Sequence, residues 1–142
     1  MQKIIFAIPP EVHLLDINGP AHIFYEAKEY GLDVELHFIS LDDTSEIKSS
    51  AGLHFSQLVP FSQVKLSKND VLFIPGLEYH LISDDSFIRN IRPFLDWVTV
   101  QYHKGAHICS VCTGSFILAE TGLLNHKTAT THWKYFDTFS RK

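Results

Sequence analysis

Residues 106–124 read AHICSVCTGSFILAETGLL, and the fold is decided in this run. It begins apolar and strand-like, turns at Ser110-Val111-Cys112-Thr113-Gly114, and continues as an alanine- and leucine-bearing helix. A nucleophile on a tight strand-to-helix turn needs small residues two before and two after it, because the backbone doubles back there. Ser110 and Gly114 occupy those places around Cys112. A thiol so placed also lies at a helix N-terminus, where unpaired amides and the helix dipole favour the thiolate.

Outward from this elbow, composition limits the rest. The chain has 142 residues, 45% of them apolar and 20% charged, which suits one globular domain with a single substantial core. A net charge of -4 leaves no electrostatic footprint for nucleic acid or an anionic membrane. The start, MQKIIFAIPPEV, is an apolar run ended by prolines, neither signal peptide nor membrane span, and a cytoplasmic protein is expected. Cys109 and Cys112 are the two cysteines. Three residues of extended strand span about 10 Å, beyond the ~7 Å Cα separation that a disulfide tolerates. Cys109 therefore reads as a small core residue on the strand before the elbow.

Strand and helix signals alternate on the N-terminal side. Lys3–Ile8 is an unbroken apolar run, expected as a strand covered on both faces. His13–Gly19 (HLLDING) reads as a loop carrying Asp16, with Pro20 opening a helix that Gly31 stops. Val34–Ser40 alternates as a second strand nearer the sheet edge. Asp42–Val59 is polar, with a Ser49–Gly52 turn inside a hairpin beside the main sheet. Asp70–Ile74 is another strand. Asp84 or Asp85 can cap a long helix that ends at Gly105 and kinks near Pro93. After the elbow helix, Lys127–Thr131 (KTATT) is expected as one more strand, and His132 as the start of a helix. This alternation predicts an α/β domain with a mostly parallel sheet.

Several pieces together resemble one superfamily: LLDINGPAHIF, SSAGLHF, DVLFIPG and SVCTGSFILAETGLLNHKTATTHW. The chain resembles the ThiJ/PfpI superfamily, within the class I glutamine amidotransferase-like fold. It is most similar to the branch of isonitrile hydratases and the N-terminal domains of AraC-type transcriptional regulators. The resemblance implies a flavodoxin-like three-layer sandwich over residues 1–142, incomplete at its C-terminal end and without a DNA-binding domain. It implies Cys112 as nucleophile or reactive thiol, Asp16 as the acid approaching it, and Thr113 as a polar neighbour lining the pocket. Gly76, Leu77 and Gly19 are carried over as further pocket residues. Protease-like members place a histidine after the elbow cysteine, where this chain has Thr113. Leu77 stands where the family usually has a second glycine.

Each residue has a plainer reading beside the functional one. Asp16 can make a turn or cap the following helix. His132 can orient a group near the elbow as a third catalytic residue, or serve only at a helix start. The other histidines (His13, His22, His37, His54, His80, His103, His107 and His126) form no metal-ligand spacing, so neither metal nor cofactor is expected. Phe87, Phe94 and Trp97 recur at helical spacing as core or a dimer face. Three readings follow. The chain is a ligand-sensing regulator domain, whose DNA contacts lie in a segment outside it and which homodimerises by resemblance. Alternatively it is a hydratase with Cys112 attacking an electrophilic carbon, or, third, a redox-sensing thiol.

Overall fold

A computed structural model describes residues 1–142. Its strands are β1 (Gln2–Ile8), β2 (Val34–Ser40), β3 (Ile47–Lys48), β4 (His54–Phe55), β5 (Val59–Pro60), β6 (Val71–Ile74) and β7 (His107–Ser110). The helices are α1 (Leu14–Glu29), α2 (Tyr79–Ile82), α3 (Asp85–Asn90), α4 (Arg92–His103), α5 (Gly114–Ala119) and α6 (Phe136–Phe139).

Five strands form one sheet in the order β5-β2-β1-β6-β7, and every pairing in it is parallel. This is the flavodoxin-like three-layer arrangement. β1 lies at its centre, and its unbroken apolar run follows from that place. Ile5 and Ala7 point into the larger core with α4 and α5, while Ile4, Phe6 and Ile8 point to the opposite face with Val12 and Ile17. Burying five such side chains on both faces contributes roughly 1.5–3 kcal/mol for each large one. β3 and β4 pair antiparallel as the expected hairpin beside the sheet. Phe94 is buried in the larger core, with Phe87 and Trp97 packed against it.

Three expectations are corrected. Asp16 is not in a loop: α1 already begins at Leu14 and runs through Pro20, with His13 at its N-cap in extended conformation. Interior proline disfavours helix by about 3 kcal/mol, but Ile17 is fully buried and Ala21 and Phe24 pack below it. Burial of that face outweighs the missing donor. The long helix is two helices, broken at Ile91, whose N–H bonds back to Phe87 and Arg89 and closes the first. Pro93 then stands in the first turn of α4, where its absent N–H costs nothing. Asp84 caps α3 by accepting from the Ser86 N–H at 2.8 Å. Finally, Lys127–Thr131 forms no strand. Its β-branched residues carry propensity, but propensity without a partner edge makes no ladder.

Candidate functional site

The elbow forms as the sequence requires. Cys112 has φ of 55°, the left-handed region in which a side chain is strained. That conformation is held from three sides. The Val111 N–H donates to the Ile74 carbonyl at 3.0 Å. Ser115 Oγ and Thr131 Oγ1 donate to the Cys112 carbonyl at 3.1 and 3.2 Å. Gly114 lies so close to β6 that a Cβ there would stand 2.1 Å from the Ile74 carbonyl oxygen.

Two loops close around the thiol. Asp16 sits in the first turn of α1, its carboxylate Oδ2 accepting from the Gly76 N–H at 3.1 Å. Gly76 is required by this packing, since a Cβ would meet Asp16 Oδ2 at 2.3 Å and the Cys112 Cβ at 3.1 Å. The Thr113 hydroxyl is buried, donating to the Leu77 carbonyl at 2.9 Å and accepting from the Leu77 N–H at 3.1 Å. It is a clamp between the elbow and the loop after β6, rather than an exposed wall of the pocket.

The structure adds His13, which the spacing of histidines along the chain did not single out. A ligand atom each from His13, Asp16 and Cys112 lies within 4.8 Å of the other two. His13 Nδ1 is 3.9 Å from Asp16 Oδ2, and Nε2 is 3.4 Å from Glu78 Oε1. The His13 N–H also donates to the Gly76 carbonyl at 2.9 Å, so the same backbone contact positions histidine and loop. The one usable signal was HLLD itself, which places His13 and Asp16 three apart at a helix start. These three residue types, thiolate, imidazole and carboxylate, are the ones that could hold a metal here.

The remaining residues fall elsewhere. His132 stands outside this cluster, capping the 3₁₀ turn at Trp133–Tyr135 by accepting from the Lys134 N–H, its ring near those of Trp133 and Tyr135. Leu77 offers no side chain to a ligand, because its bridge to Val12 turns it into the core, fully buried. Gly19 lies on the wall of a separate apolar groove between α1 and the β2–β5 edge, shared with Leu15, Ile23, Tyr25 and Phe38. Cys109 is a free cysteine on β7, where the strand was expected, but it is half-buried rather than part of the core.

The electrostatics reverse one expectation. Burial pushes the Cys112 thiol up, and the Asp16 carboxylate adds to this by its charge and its hydrogen bond; the Thr113 amide and side chain pull the other way and lose. Burial and the facing carboxylate thus favour the thiol over a helix-stabilised thiolate.

With the fold and the elbow defined, the class is clear: a flavodoxin-like domain with a strained cysteine elbow facing an acid from the first helix. The chain belongs to the DJ-1/PfpI family, whose profile matches residues 2–142. It is 33% identical to an isonitrile hydratase of Pseudomonas putida over 137 residues, 95% of this chain and 54% of the relative. It is 33% identical to the HTH-type transcriptional regulator CdhR of Pseudomonas aeruginosa over 75 residues, 52% of this chain and 20% of the relative. The chain thus spans about half of the hydratase and a fifth of the regulator. Among solved structures, oxidised DJ-1 of Toxoplasma gondii superposes with a TM-score of 0.78 at 18% identity, covering 98% of this chain and 71% of that one.

Proposed function

We propose that this is a ligand-sensing domain of an AraC-type transcriptional regulator, with Cys112 as a reactive thiol in its pocket. The observation that carries the reading is the state of the Gly76 and Leu77 amides, in the loop that faces the elbow. Hydrolytic chemistry on an acyl carbon needs backbone donors free to meet a developing oxyanion. Here the Gly76 N–H is taken by Asp16 and the Leu77 N–H by Thr113. The thiol is also held protonated by burial and Asp16. A site so arranged suits reversible capture of a small molecule better than a hydrolytic cycle. On this reading DNA is contacted by another part of the protein, in the cytoplasm, and the acidic balance of residues 1–142 fits that division.

The second reading is a hydratase of isonitriles, favoured by the likeness to the Pseudomonas putida enzyme and by the Asp16–Cys112 pair. The thiol would add across the isonitrile carbon, with Asp16 relaying the proton to that carbon, and water would release an N-substituted formamide and the free thiol. One experiment separates the two. The protein is incubated with an alkyl isonitrile and product is followed by NMR, beside thermal shifts with a panel of small carbonyl and amine metabolites. Sensing predicts a saturable thermal shift, altered in Cys112→Ser, without catalytic turnover. Formamide produced over many turnovers, and lost in Cys112→Ser, would establish the enzyme instead.

A further inference from the structure

We infer that His13, Asp16 and Cys112 form a binding site for a divalent transition-metal cation of the zinc or cobalt kind, which caps the elbow thiol. The ligand atoms lie within 4.8 Å of one another although they come from two distant parts of the chain. The separation of His13 Nδ1 and Asp16 Oδ2, 3.9 Å, is too long for a hydrogen bond. Two such ligands on one tetrahedral ion, each at about 2.0–2.1 Å, stand roughly 3.4 Å apart. Closing that difference takes about half an ångström, within a small rotation of either side chain.

The second observation is on the far side of the imidazole. Glu78 Oε1 faces His13 Nε2 at 3.4 Å. At that distance the pair is not hydrogen-bonded, but the negative charge favours the Nε2–H tautomer and leaves Nδ1 toward Asp16, and a small side-chain shift would complete the carboxylate–histidine arrangement that orients metal-binding histidines. Two acceptors, Nδ1 and a carboxylate oxygen, then face one another beside the thiol. A divalent cation satisfies all three at once. The charges also fit, since one thiolate, one carboxylate and one neutral imidazole neutralise a divalent ion. A mixed S, N, O donor set selects a borderline metal over magnesium or calcium.

The backbone anchors each ligand before the metal arrives. The His13 N–H donates to Gly76, Asp16 accepts from the Gly76 N–H, and Cys112 is fixed by the elbow. The side chains of His13 and Asp16 remain 32% and 15% exposed, so a hydrated cation can reach them. On binding, the metal takes the sulfur lone pair, the thiol proton goes to solvent, and a fourth position stays open to water or ligand. Metal occupancy thereby masks the sulfur as a nucleophile. The inference goes beyond the sensing reading and does not depend on it.

The test is a cobalt(II) titration of the reduced full chain, read by the near-ultraviolet thiolate-to-cobalt band and the visible ligand-field bands. One equivalent should bind with a thiolate band that vanishes in Cys112→Ser. His13→Asn, a residue well suited to the N-cap position, should lose at least tenfold in affinity, and Glu78→Gln about 10–100-fold with an unchanged spectrum. Zinc should displace cobalt and protect Cys112 from iodoacetamide, mapped by peptide mass spectrometry to separate it from Cys109. Cobalt bound without a thiolate band, no binding at all, or wild-type affinity in His13→Asn would each overturn the site. No metabolite enters the experiment, so its failure leaves the sensing reading where it stands.

Discussion

Gly114→Ala separates local propensity from tertiary packing, because the two predict opposite signs. Gly114 opens α5, and alanine in a helix is favoured over glycine by at most about 1 kcal/mol. Against this, the added Cβ would stand 2.1 Å from the Ile74 carbonyl oxygen and 2.6 Å from that of Pro75. Such contacts fall about an ångström or more short of ordinary van der Waals separation, ~3.5 Å. Both oxygens belong to backbone at the end of a central strand, so the elbow must withdraw. Withdrawal stretches the Val111–Ile74 bond and both Thr113–Leu77 bonds, at 3.0, 2.9 and 3.1 Å. Three hydrogen bonds at about 1 kcal/mol each, with an overpacking cost of about 1–3 kcal/mol, exceed the gain in propensity. The expected net destabilisation is about 3–5 kcal/mol, or a fall in Tm of roughly 10–17 °C for a domain of this size. Urea unfolding followed by circular dichroism measures it. A Gly114→Ala protein as stable as wild type would refute the close packing of elbow on strand.

Asp16→Asn removes the negative charge that opposes the Cys112 thiolate, so the pH profile of iodoacetamide alkylation should move to lower pH; burial still holds the thiol up, and an unchanged profile would show that Asp16 does not act on it. Thr113→Val keeps the shape but leaves the buried Leu77 N–H and carbonyl without partners, at a cost of about 1–3 kcal/mol in urea unfolding. Cys112→Gly should be more stable than Cys112→Ala by about 0.5–1 kcal/mol, the reverse of the usual order, because φ of 55° strains any side chain; differential scanning calorimetry of the pair decides it.

The parts of this molecule legible in sequence were those whose causes are local. The elbow is dictated by Ser110, Cys112 and Gly114 within five residues, and β1 by an apolar run long enough to be buried on both faces. The hairpin, the Asp84 cap and the stop at Gly105 are likewise short-range chemistry. What escaped was decided at a distance. Pro20 looked like a helix start because the burial of Ile17, which extends α1 backwards past it, depends on packing against β1 and Val12. Lys127–Thr131 looked like a strand because propensity cannot say whether an edge is there to receive it. His13 joins Cys112 only through the fold, and no spacing rule along the chain relates residues so far apart.

The polar groups of the elbow narrow the kind of molecule that fits it. Gly76 gives its N–H to Asp16, Leu77 gives its N–H to Thr113, and the hydroxyls of Ser115 and Thr131 both point at the Cys112 carbonyl. These donors are engaged within the protein, which leaves the Thr113 N–H, aimed at the sulfur, as the elbow's own amide for a developing anion. Also directed at the thiol are an imidazole and a carboxylate, both able to accept. An anionic ligand would meet Asp16 and gain nothing in return. A molecule with an N–H or O–H donor, an electrophilic carbon or a positive centre would meet acceptors and sulfur together. Such an inventory supports capture of electrophiles or cations over cleavage of acyl bonds. Leu77, whose side chain is turned into the core, takes no space from the site.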